Sequence, residues 1–384
     1  MGAAGHIRAG HSIASEAKEA VAEFHNQVMQ ADMALVLFFC STSYDLDTLA
    51  EEMNRCFPGV TVVGCTTAGE IGPAGYQDRS LSGMSFSASA FVAEVGYVDD
   101  LQSFEIASGR DFAEQLFRRL ELRTHEAKFR NSFGFLLIDG LSLREEQVTH
   151  ALQDGLGAVP MIGGSAGDDL KFDRTWIFHD GGFHTDSAAL VLMSTRLPFH
   201  IIRTQHFVAD SERLVVTEVD AAKRVVHEIN GLPAVEEYAR LVGVAPEQLT
   251  PSHFATWPVV VMIDGTDFVR SIQHANPDGS LTFYCAIDEG VVLRVAHGER
   301  LLEKLEATFT DLERELGSLE GMLVCDCILR NLEIARNNQK AAVGDVFRRH
   351  NAVGFSTYGE QFGGVHINQT LTGIAIGSGT TGHG

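Results

Sequence analysis

Three short segments of the chain combine a glycine, a hydroxyl residue two positions later and an acid soon afterwards. Each follows an apolar run and a stretch of helical length, so it should end the second strand of a β-helix-β unit. α/β proteins place ligands at such strand ends. The segments are VVGCTTAGEI at 62–71, MIGGSAGDDL at 161–170 and AVGFSTYGEQ at 352–361, with the hydroxyls Thr66, Ser165 and Ser356 and the acids Glu70, Asp168 and Glu360.

Two interpretations of these segments are open. Hydroxyl and carboxylate side chains often cap the turn or helix that follows a strand. Alternatively, they converge on a cavity and bind a polar ligand, together with backbone amides freed by neighbouring glycines. The GGSAG at 163–167 fits the nucleophile elbow of serine hydrolases, but the following DDLKFDRTWIF does not read as the helix that this motif needs. A structural origin therefore explains Ser165 better than catalysis.

Four of the sixteen histidines lie in apolar or strand-like surroundings, namely His184, His200, His206 and His366. A neutral imidazole beside apolar strands could serve as the axial ligand of a haem iron. We rank His206 and His366 first as metal ligands. His206 ends a strand-like run, and Gly363 and Gly364 would let a planar group approach the backbone near His366. Any of the four could instead be an ordinary core or surface histidine.

The composition excludes several functional classes. With 384 residues, 45% of them hydrophobic and 21% charged, the chain should form a globular protein of two or three domains. Its 51 acidic and 29 basic residues give a formal charge of -22, which disfavours nucleic acid and anionic membranes as partners. No signal peptide or long apolar segment is visible, so we expect a cytoplasmic protein.

The cysteines indicate a reducing compartment. Several of the six lie within apolar strands, as buried thiols do, rather than in a disulfide framework. Cys325 and Cys327 form the one close pair, but no second pair near them in sequence would complete a structural zinc site.

The order of patterns predicts an α/β fold of repeated β-helix-β units in mixed sheets, with additional antiparallel hairpins. An amphipathic helix within residues 12–30 precedes the first unit, and Asp180-Gly181-Gly182 indicates a hairpin turn. Residues 258–300 read as a β-meander, and LLEKLEATFTDLEREL at 301–316 reads as a helix. The boundary between two domains should lie within residues 195–232.

Longer motifs resemble the FIST family of bacterial sensory proteins. They are TTAGEI, IGGSAGDD, FHTDSAALVL, NGLPAVEEYARLVG, GSLTFYCAIDEG and GFSTYGEQFGGVHINQTLTGIAIG. The resemblance implies a two-domain architecture, with a helical extension at 1–32, FIST-N at 33–230, FIST-C at 231–376 and a flexible tail at 377–384. The chain looks most like the haem-binding, nitric oxide-sensing branch.

That resemblance implies a cytoplasmic haem-dependent sensor of nitric oxide that regulates a partner histidine kinase in two-component signalling. A second hypothesis is a haem-independent module for a small amino-acid-like ligand, bound by the strand-end acids and Arg270. A third, from another class, is an enzyme acting through Ser165 or Cys285. We expect that the chain is not an enzyme, because the strand-end pattern does not repeat a catalytic motif.

Overall fold

The computed structural model describes residues 5–263 and 265–379. The chain forms three six-stranded sheets and one nine-stranded sheet. The six-stranded sheets contain parallel and antiparallel strand pairs, which confirms the predicted mixed α/β class. In this part of the chain no helix is both long and apolar enough to cross a membrane. Most of the predicted tail, residues 380–384, lies outside the described residues.

The first unit, residues 7–87, supplies four strands of one six-stranded sheet. Its elements are β1 (Ile7–Ser12), α1 (Ala17–Val28), β2 (Met33–Cys40), α2 (Leu46–Cys56), β3 (Val62–Thr66), β4 (Glu70–Gly72), β5 (Gly75–Gln77) and β6 (Leu81–Ser87). β2 and β3 run parallel with α2 between them, and β6 pairs antiparallel with β2. The expected helical extension begins with a strand instead, because β1 pairs along the whole of β6 and satisfies its backbone groups.

The second unit, residues 91–195, has the same order of elements. They are β7 (Phe91–Asp99), α3 (Ile106–Arg123), β8 (Ser132–Ile138), α4 (Glu145–Leu156), β9 (Met161–Ser165), β10 (Ile177–His179), β11 (Gly182–His184) and β12 (Ser187–Thr195). β8 and β9 run parallel, and β12 pairs antiparallel with β8. The hairpin predicted at residues 180–182 is present, and Asp180 and Gly181 both adopt the positive φ of a type I′ turn.

β13 (Phe199–Thr204) is the first strand of a third unit. Residues 207–298, which follow it, form a separate antiparallel sheet that interrupts this unit and is called the insert. The insert is a nine-stranded sheet with antiparallel pairing throughout. Its elements are β14 (Phe207–Ala209), β15 (Leu214–Asp220), β16 (Val225–Ile229), β17 (Leu232–Pro233), α5 (Ala234–Val242), α6 (Pro251–Thr256), β18 (Val259–Ile263), β19 (Thr266–Arg270), β20 (Ile272–Ala275), β21 (Leu281–Phe283) and β22 (Val292–Gly298).

The third unit resumes after the insert and ends the described chain. Its remaining elements are α7 (Leu301–Leu316), β23 (Leu319–Cys327), α8 (Ile328–Arg336), α9 (Lys340–Arg349), β24 (Ala352–Thr357), β25 (Glu360–Phe362), β26 (Val365–Ile367) and β27 (Leu371–Gly377). β23 and β24 run parallel, and β27 lies between β13 and β23. α7 has the bounds expected from its apolar periodicity.

The three units exchange their short hairpins in a cycle. The first unit's hairpin β4–β5 pairs with β24 of the third unit. The second unit's hairpin β10–β11 pairs with β3 of the first, and the third unit's hairpin β25–β26 pairs with β9 of the second. Each six-stranded sheet therefore contains strands from two units, so the units form one interlocked body.

The shared core lies between the three six-stranded sheets. Phe39 of β2 stacks on Phe355 of β24 with ring centroids 4.6 Å apart and meets Phe135 of β8 at 6.5 Å. All three rings are fully buried, and burial of each side chain contributes about 2 kcal/mol. One aromatic cluster thus joins the central strands of all three units.

A buried ion triad fastens the insert to the second unit. The Arg224 guanidinium of the insert donates to Glu145 at 2.8 Å and to Glu146 at 2.6 Å. Glu146 also accepts from the Ala286 backbone N–H at 2.7 Å. Because these groups are largely buried, their mutual pairing is needed to offset desolvation, which fixes the insert's position.

Candidate functional site

The three strand-end hydroxyls predicted from the sequence are fully buried and form a seam between the units. Each hydroxyl accepts a hydrogen bond from a residue of another unit. The bonds run from Trp176 N to Thr66 Oγ1 at 3.0 Å, from Gln361 Nε2 to Ser165 Oγ at 2.9 Å and from Tyr76 Oη to Ser356 Oγ at 3.0 Å. These side chains therefore bind protein groups of the exchanged hairpins.

Glu70 and Glu360 play matching roles in the first and third units. Glu70 bonds to the Thr67 hydroxyl through one oxygen, and its other oxygen accepts from Ser80 Oγ at 2.7 Å and Ser80 N at 3.0 Å. Glu360 makes the same pattern with Thr357 and, at 2.7 and 3.2 Å, with Thr370. Burial raises the pKa of both carboxyls to about 8. Both acids brace the loop around their hairpin, which favours the capping interpretation.

Asp168 organises the loop that follows β9. Its carboxylate accepts backbone hydrogen bonds from Phe172 at 2.9 Å, Asp173 at 2.7 Å and Arg174 at 3.0 Å, and a further one from the Tyr358 hydroxyl. No helix follows this strand, as DDLKFDRTWIF predicts. The acid thus holds Phe172 in place over Tyr358, with ring centroids 4.9 Å apart.

A cavity of about 900 Å³ lies where the insert meets the third unit. Its walls come from α6, β20 and the end of β22 in the insert, from α8 in the third unit, and from the Asp168-supported loop of the second unit. Its volume suits a drug-sized ligand. The lining residues are Leu170, Phe172, Pro251, Ser252, Ala255, Thr256, Ile272, Gln273, His274, Tyr284, Gly298, Glu299, Leu329, Leu332, Glu333, Arg336 and Asn337.

Charged groups of both signs face this otherwise apolar cavity. Arg336 is held at one wall by the hydroxyls of Ser252 at 2.5 Å and Thr256 at 2.9 Å, both through Nη1. Glu299 and Glu333 supply carboxylates in the same lining. A guanidinium has five N–H donors, so two hydroxyl partners leave donors for a ligand carboxylate. The cavity can therefore hold an amphipathic, zwitterionic molecule.

A chain of buried polar groups runs from the cavity wall to the seam. His206 Nε2 donates to Glu333 Oε2 at 2.9 Å, and His206 Nδ1 accepts from Arg330 Nη1 at 3.1 Å. This network assigns the neutral tautomer with the proton on Nε2. Burial lowers the pKa of His206, in agreement with a neutral ring. Arg330 also pairs with Asp326 at 2.6 Å, and Asp326 accepts from Tyr76 at 3.4 Å.

None of the four histidines predicted as axial ligands is among the described residues that line the cavity. Both ring nitrogens of His206 are engaged by protein groups. His366 is buried, bonds to Gln361 Nε2 at 3.2 Å and packs so tightly on Gly359 that a Cβ there would lie 2.2 Å from its Cε1. His200 is on the outer strand β13 and contacts Glu315 at 3.0 Å, and His184 is on the edge strand β11. As arranged, none presents a free nitrogen to this cavity.

The two remaining sequence candidates lie outside the cavity lining. Arg270 donates to the His366 carbonyl at 3.3 Å, so it ties β19 of the insert to β26. Cys285 is buried, and burial raises the pKa of its thiol to about 11, so the thiol is protonated at neutral pH.

Comparison with known proteins agrees with this architecture. The FIST N domain matches residues 34–232, and the FIST C domain matches residues 234–363. The chain belongs to the FIST family. The border between the two FIST matches falls inside the nine-stranded sheet, next to β17. The cavity takes Leu170 and Phe172 from the FIST N match and its other lining residues from the FIST C match. FIST domains are in general sensory, ligand-binding modules, and the family match specifies neither haem nor nitric oxide.

Two further proteins are similar to this chain. The uncharacterized protein MJ1623 of Methanocaldococcus jannaschii is 22% identical over 279 residues, which are 64% of this chain and 54% of that protein. The chain thus spans about half the length of this curated relative. The crystal structure of a cyanuric acid hydrolase from A. caulinodans aligns with 97% of this chain and 99% of its own, at 10% identity and a TM-score of 0.36.

The expectation that the chain is not an enzyme is corrected by the second similarity, because the aligned protein is a hydrolase. At this TM-score and identity the likeness assigns neither an activity nor a catalytic residue to the FIST chain.

Sequence reasoning missed the residues that line the cavity. Phe172, His274 and Arg336 belong to segments far apart in the chain and outside the quoted motifs. Tyr284 lies within GSLTFYCAIDEG but was not singled out as a site residue. The sequence did contain one local signal. At helical spacing, Leu329, Leu332 and Arg336 lie on one face of α8, which therefore carries both apolar and charged side chains. Leu332 on this face is exposed, and an exposed apolar residue is informative only where it belongs to a contiguous patch.

Proposed function

We propose that this protein is a FIST sensory module that binds a small amphipathic ligand in the cavity between the insert and α8. The observation that carries the proposal is that cavity, about 900 Å³ in volume, with aromatic and aliphatic walls and a few convergent charges. Such a combination is the usual signature of a small-molecule site.

The lining supports an amino-acid-like ligand with a large apolar body. Phe172 and Tyr284 offer aromatic faces, and Leu329 and Leu332 offer aliphatic ones. The Arg336 guanidinium would bind a ligand carboxylate. Glu299 and Glu333 would attract a ligand ammonium group through charge-assisted hydrogen bonds.

The polar chain behind the cavity supports signalling as well as binding. A ligand cation at Glu333 would compete with His206 for the same carboxylate, and the response would pass through Arg330 and Asp326 towards the seam. A small local change can bias a packing equilibrium in this way. The conformational signal would then pass to a partner protein. From the sequence resemblance, we propose that this partner is a histidine kinase in the cytoplasm.

A panel of probes tests the proposal. Tryptophan, phenylalanine and leucine are compared with their decarboxylated amines by calorimetry on the wild-type chain and on Arg336→Ala. We expect the amino acids to bind and the amines to bind at least tenfold more weakly, with the same loss for Arg336→Ala. Arg348→Ala is the control, because Arg348 is an exposed arginine that lies outside the cavity lining and pairs with Asp345 of its own helix. Binding that is equal in wild type and Arg336→Ala would contradict the proposed site.

Haem is the second candidate ligand, and one observation favours it. His274 of β20 lines the cavity, is exposed, and its imidazole makes no hydrogen bond to any residue of the described chain. Phe172, Tyr284 and Leu332 would pack on the porphyrin faces, and His274 would be the axial ligand in place of His206 or His366. Haem would supply an iron that binds nitric oxide.

Reconstitution with haem separates the two candidates. A Soret band that moves on addition of nitric oxide and is altered in His274→Ala, but not in His206→Ala or His366→Ala, would support haem at this cavity. A chain that takes up no haem leaves the amino-acid-like ligand as the proposal.

A further inference from the structure

Asp99, His179 and His184 form a compact group at the surface, away from the cavity lining. One ligand atom from each lies within 4.8 Å of the other two. Asp99 ends β7, and the two histidines come from the exchanged hairpin β10–β11, on either side of the type I′ turn. Two different sheets therefore bring the three side chains together. No other set of three such residues with close ligand atoms occurs in residues 5–263 and 265–379, and Cys325 and Cys327 are not part of one.

The His179 ring is buried without the hydrogen bonds that a buried imidazole usually makes. Only 2% of its surface is exposed, yet neither ring nitrogen makes a well-directed hydrogen bond within the described chain. Its Nε2 lies 3.3 Å from Asp99 Oδ1 without the geometry of a hydrogen bond. Buried polar atoms are almost always satisfied, so two unpartnered nitrogens on one buried ring need an explanation.

The distance of 3.3 Å between His179 Nε2 and Asp99 Oδ1 matches the distance between two ligand atoms of one metal ion. With bonds of about 2.0–2.1 Å, two ligands of a tetrahedral ion lie about 3.3–3.4 Å apart. His184 lies next to His179, with the ring centroids 4.0 Å apart. The two rings are stacked at 13°, so the partly exposed His184 side chain must change its torsion for its nitrogen to enter the same coordination sphere. Burial and the neighbouring His184 lower the pKa of His179, and the neutral imidazole is the form that ligates metals.

We propose that Asp99, His179 and His184 bind a divalent transition-metal ion of the Zn²⁺ type. Two imidazoles with one carboxylate suit Zn²⁺ and its neighbours in the first row, whereas Mg²⁺ and Ca²⁺ prefer oxygen ligands. The carboxylate of Asp180 lies 3.9 Å from His179 Nδ1, beyond hydrogen-bond distance, and would orient the ring as an outer partner only if this distance shortened. The three protein ligands leave one tetrahedral position open to water, because Asp99 is largely exposed.

The site is distinct from an ordinary histidine-carboxylate pair. His200 and Glu315 form such a pair at 3.0 Å with hydrogen-bond geometry, and no second histidine or buried orphan nitrogen accompanies it in the described chain. His200 therefore provides a matched control, since it shares the residue types but lacks the third ligand.

The test uses the full chain without a histidine tag, stripped with EDTA. Zn²⁺ is titrated in competition with a chromophoric chelator, and Mg²⁺ is titrated separately. We expect one Zn²⁺ per chain, an affinity at least tenfold lower in His184→Ala and in Asp99→Asn, and no change in His200→Ala. Zn²⁺ should also raise the melting temperature of the wild type but not of His184→Ala.

Two outcomes would overturn the proposal. One is stoichiometric Zn²⁺ binding that survives both His184→Ala and Asp99→Asn, and the other is no Zn²⁺ binding by the wild type at micromolar concentration. If His184→Ala lowers the melting temperature of the metal-free chain, Asp99→Asn decides alone, because the Asp99 side chain is 65% exposed and removing its charge should leave the fold intact.

Discussion

His206 Nε2 lies 2.9 Å from Glu333 Oε2, so a buried imidazole supports a carboxylate of the cavity wall from behind. The same ring accepts from Arg330, which pairs with the buried Asp326 on the central strand β23. The wall of the cavity is therefore connected to the core of the third unit by charged and polar groups rather than by apolar packing alone.

The Asp326–Arg330 pair gives the first prediction. Asp326→Asn removes the charge that compensates a fully buried guanidinium, so we expect a loss of about 3–5 kcal/mol in the free energy of unfolding, measured in urea. Asp345→Asn breaks an exposed pair with Arg348 and should change the same quantity by less than about 1 kcal/mol. Equal effects of the two substitutions would contradict the conclusion that Asp326 and Arg330 form a buried, energetically coupled pair.

The second prediction concerns acid sensitivity. Burial lowers the pKa of His366 from 6.5 to about 4. Between these values the unfolded chain binds a proton that the folded chain does not, so the free energy of unfolding decreases as the pH falls from about 6.5 to 4. The loss from this group is up to about 3 kcal/mol. His366→Asn, which keeps an acceptor for Gln361, should flatten the pH dependence of the free energy of unfolding. An unchanged slope between pH 6.5 and pH 4 in this variant would contradict the prediction.

The third prediction concerns Glu70, whose contribution to the free energy of unfolding decreases as the pH rises, opposite to that of His366. Burial raises the pKa of Glu70 from 4.5 to about 8, so within this window the folded chain holds a proton that the unfolded chain has lost. Its contribution to stability is complete below about pH 4.5 and is lost as the pH rises towards 8. Glu70→Gln resembles the protonated acid and should be at least as stable as the wild type at pH 8. A variant that loses stability equally at pH 5 and pH 8 would show that the carboxylate form is required.

Local patterns were sufficient to predict much of the fold. The apolar spacing of Leu301, Leu305, Phe309 and Leu312 gave α7 its correct bounds, and Asp180 with Gly181 gave the hairpin turn. The exchange of hairpins was not foreseen, because the choice of partner strand depends on contacts between distant units and leaves no local period in the sequence.

The candidate site was harder to predict for the same reason. The strand-end hydroxyls and acids were singled out for their chemistry, yet they hold the hairpins together inside the protein. The cavity depends on residues near positions 170, 255, 274 and 333, which come together only when the insert packs on α8. Of the predicted histidines, His206 is closest in role, since it contacts the cavity wall through Glu333.

A substitution that fills the cavity beside α8 shows whether this cavity is the ligand site. Ala255→Trp places an indole inside the cavity, and Ala341→Trp is the control in a separate pocket of about 320 Å³. Calorimetry with the tightest-binding amino acid of the panel, or with haem if haem binds, should show at least a hundredfold weaker affinity for Ala255→Trp and wild-type affinity for Ala341→Trp. Wild-type affinity in a folded Ala255→Trp variant would contradict the account.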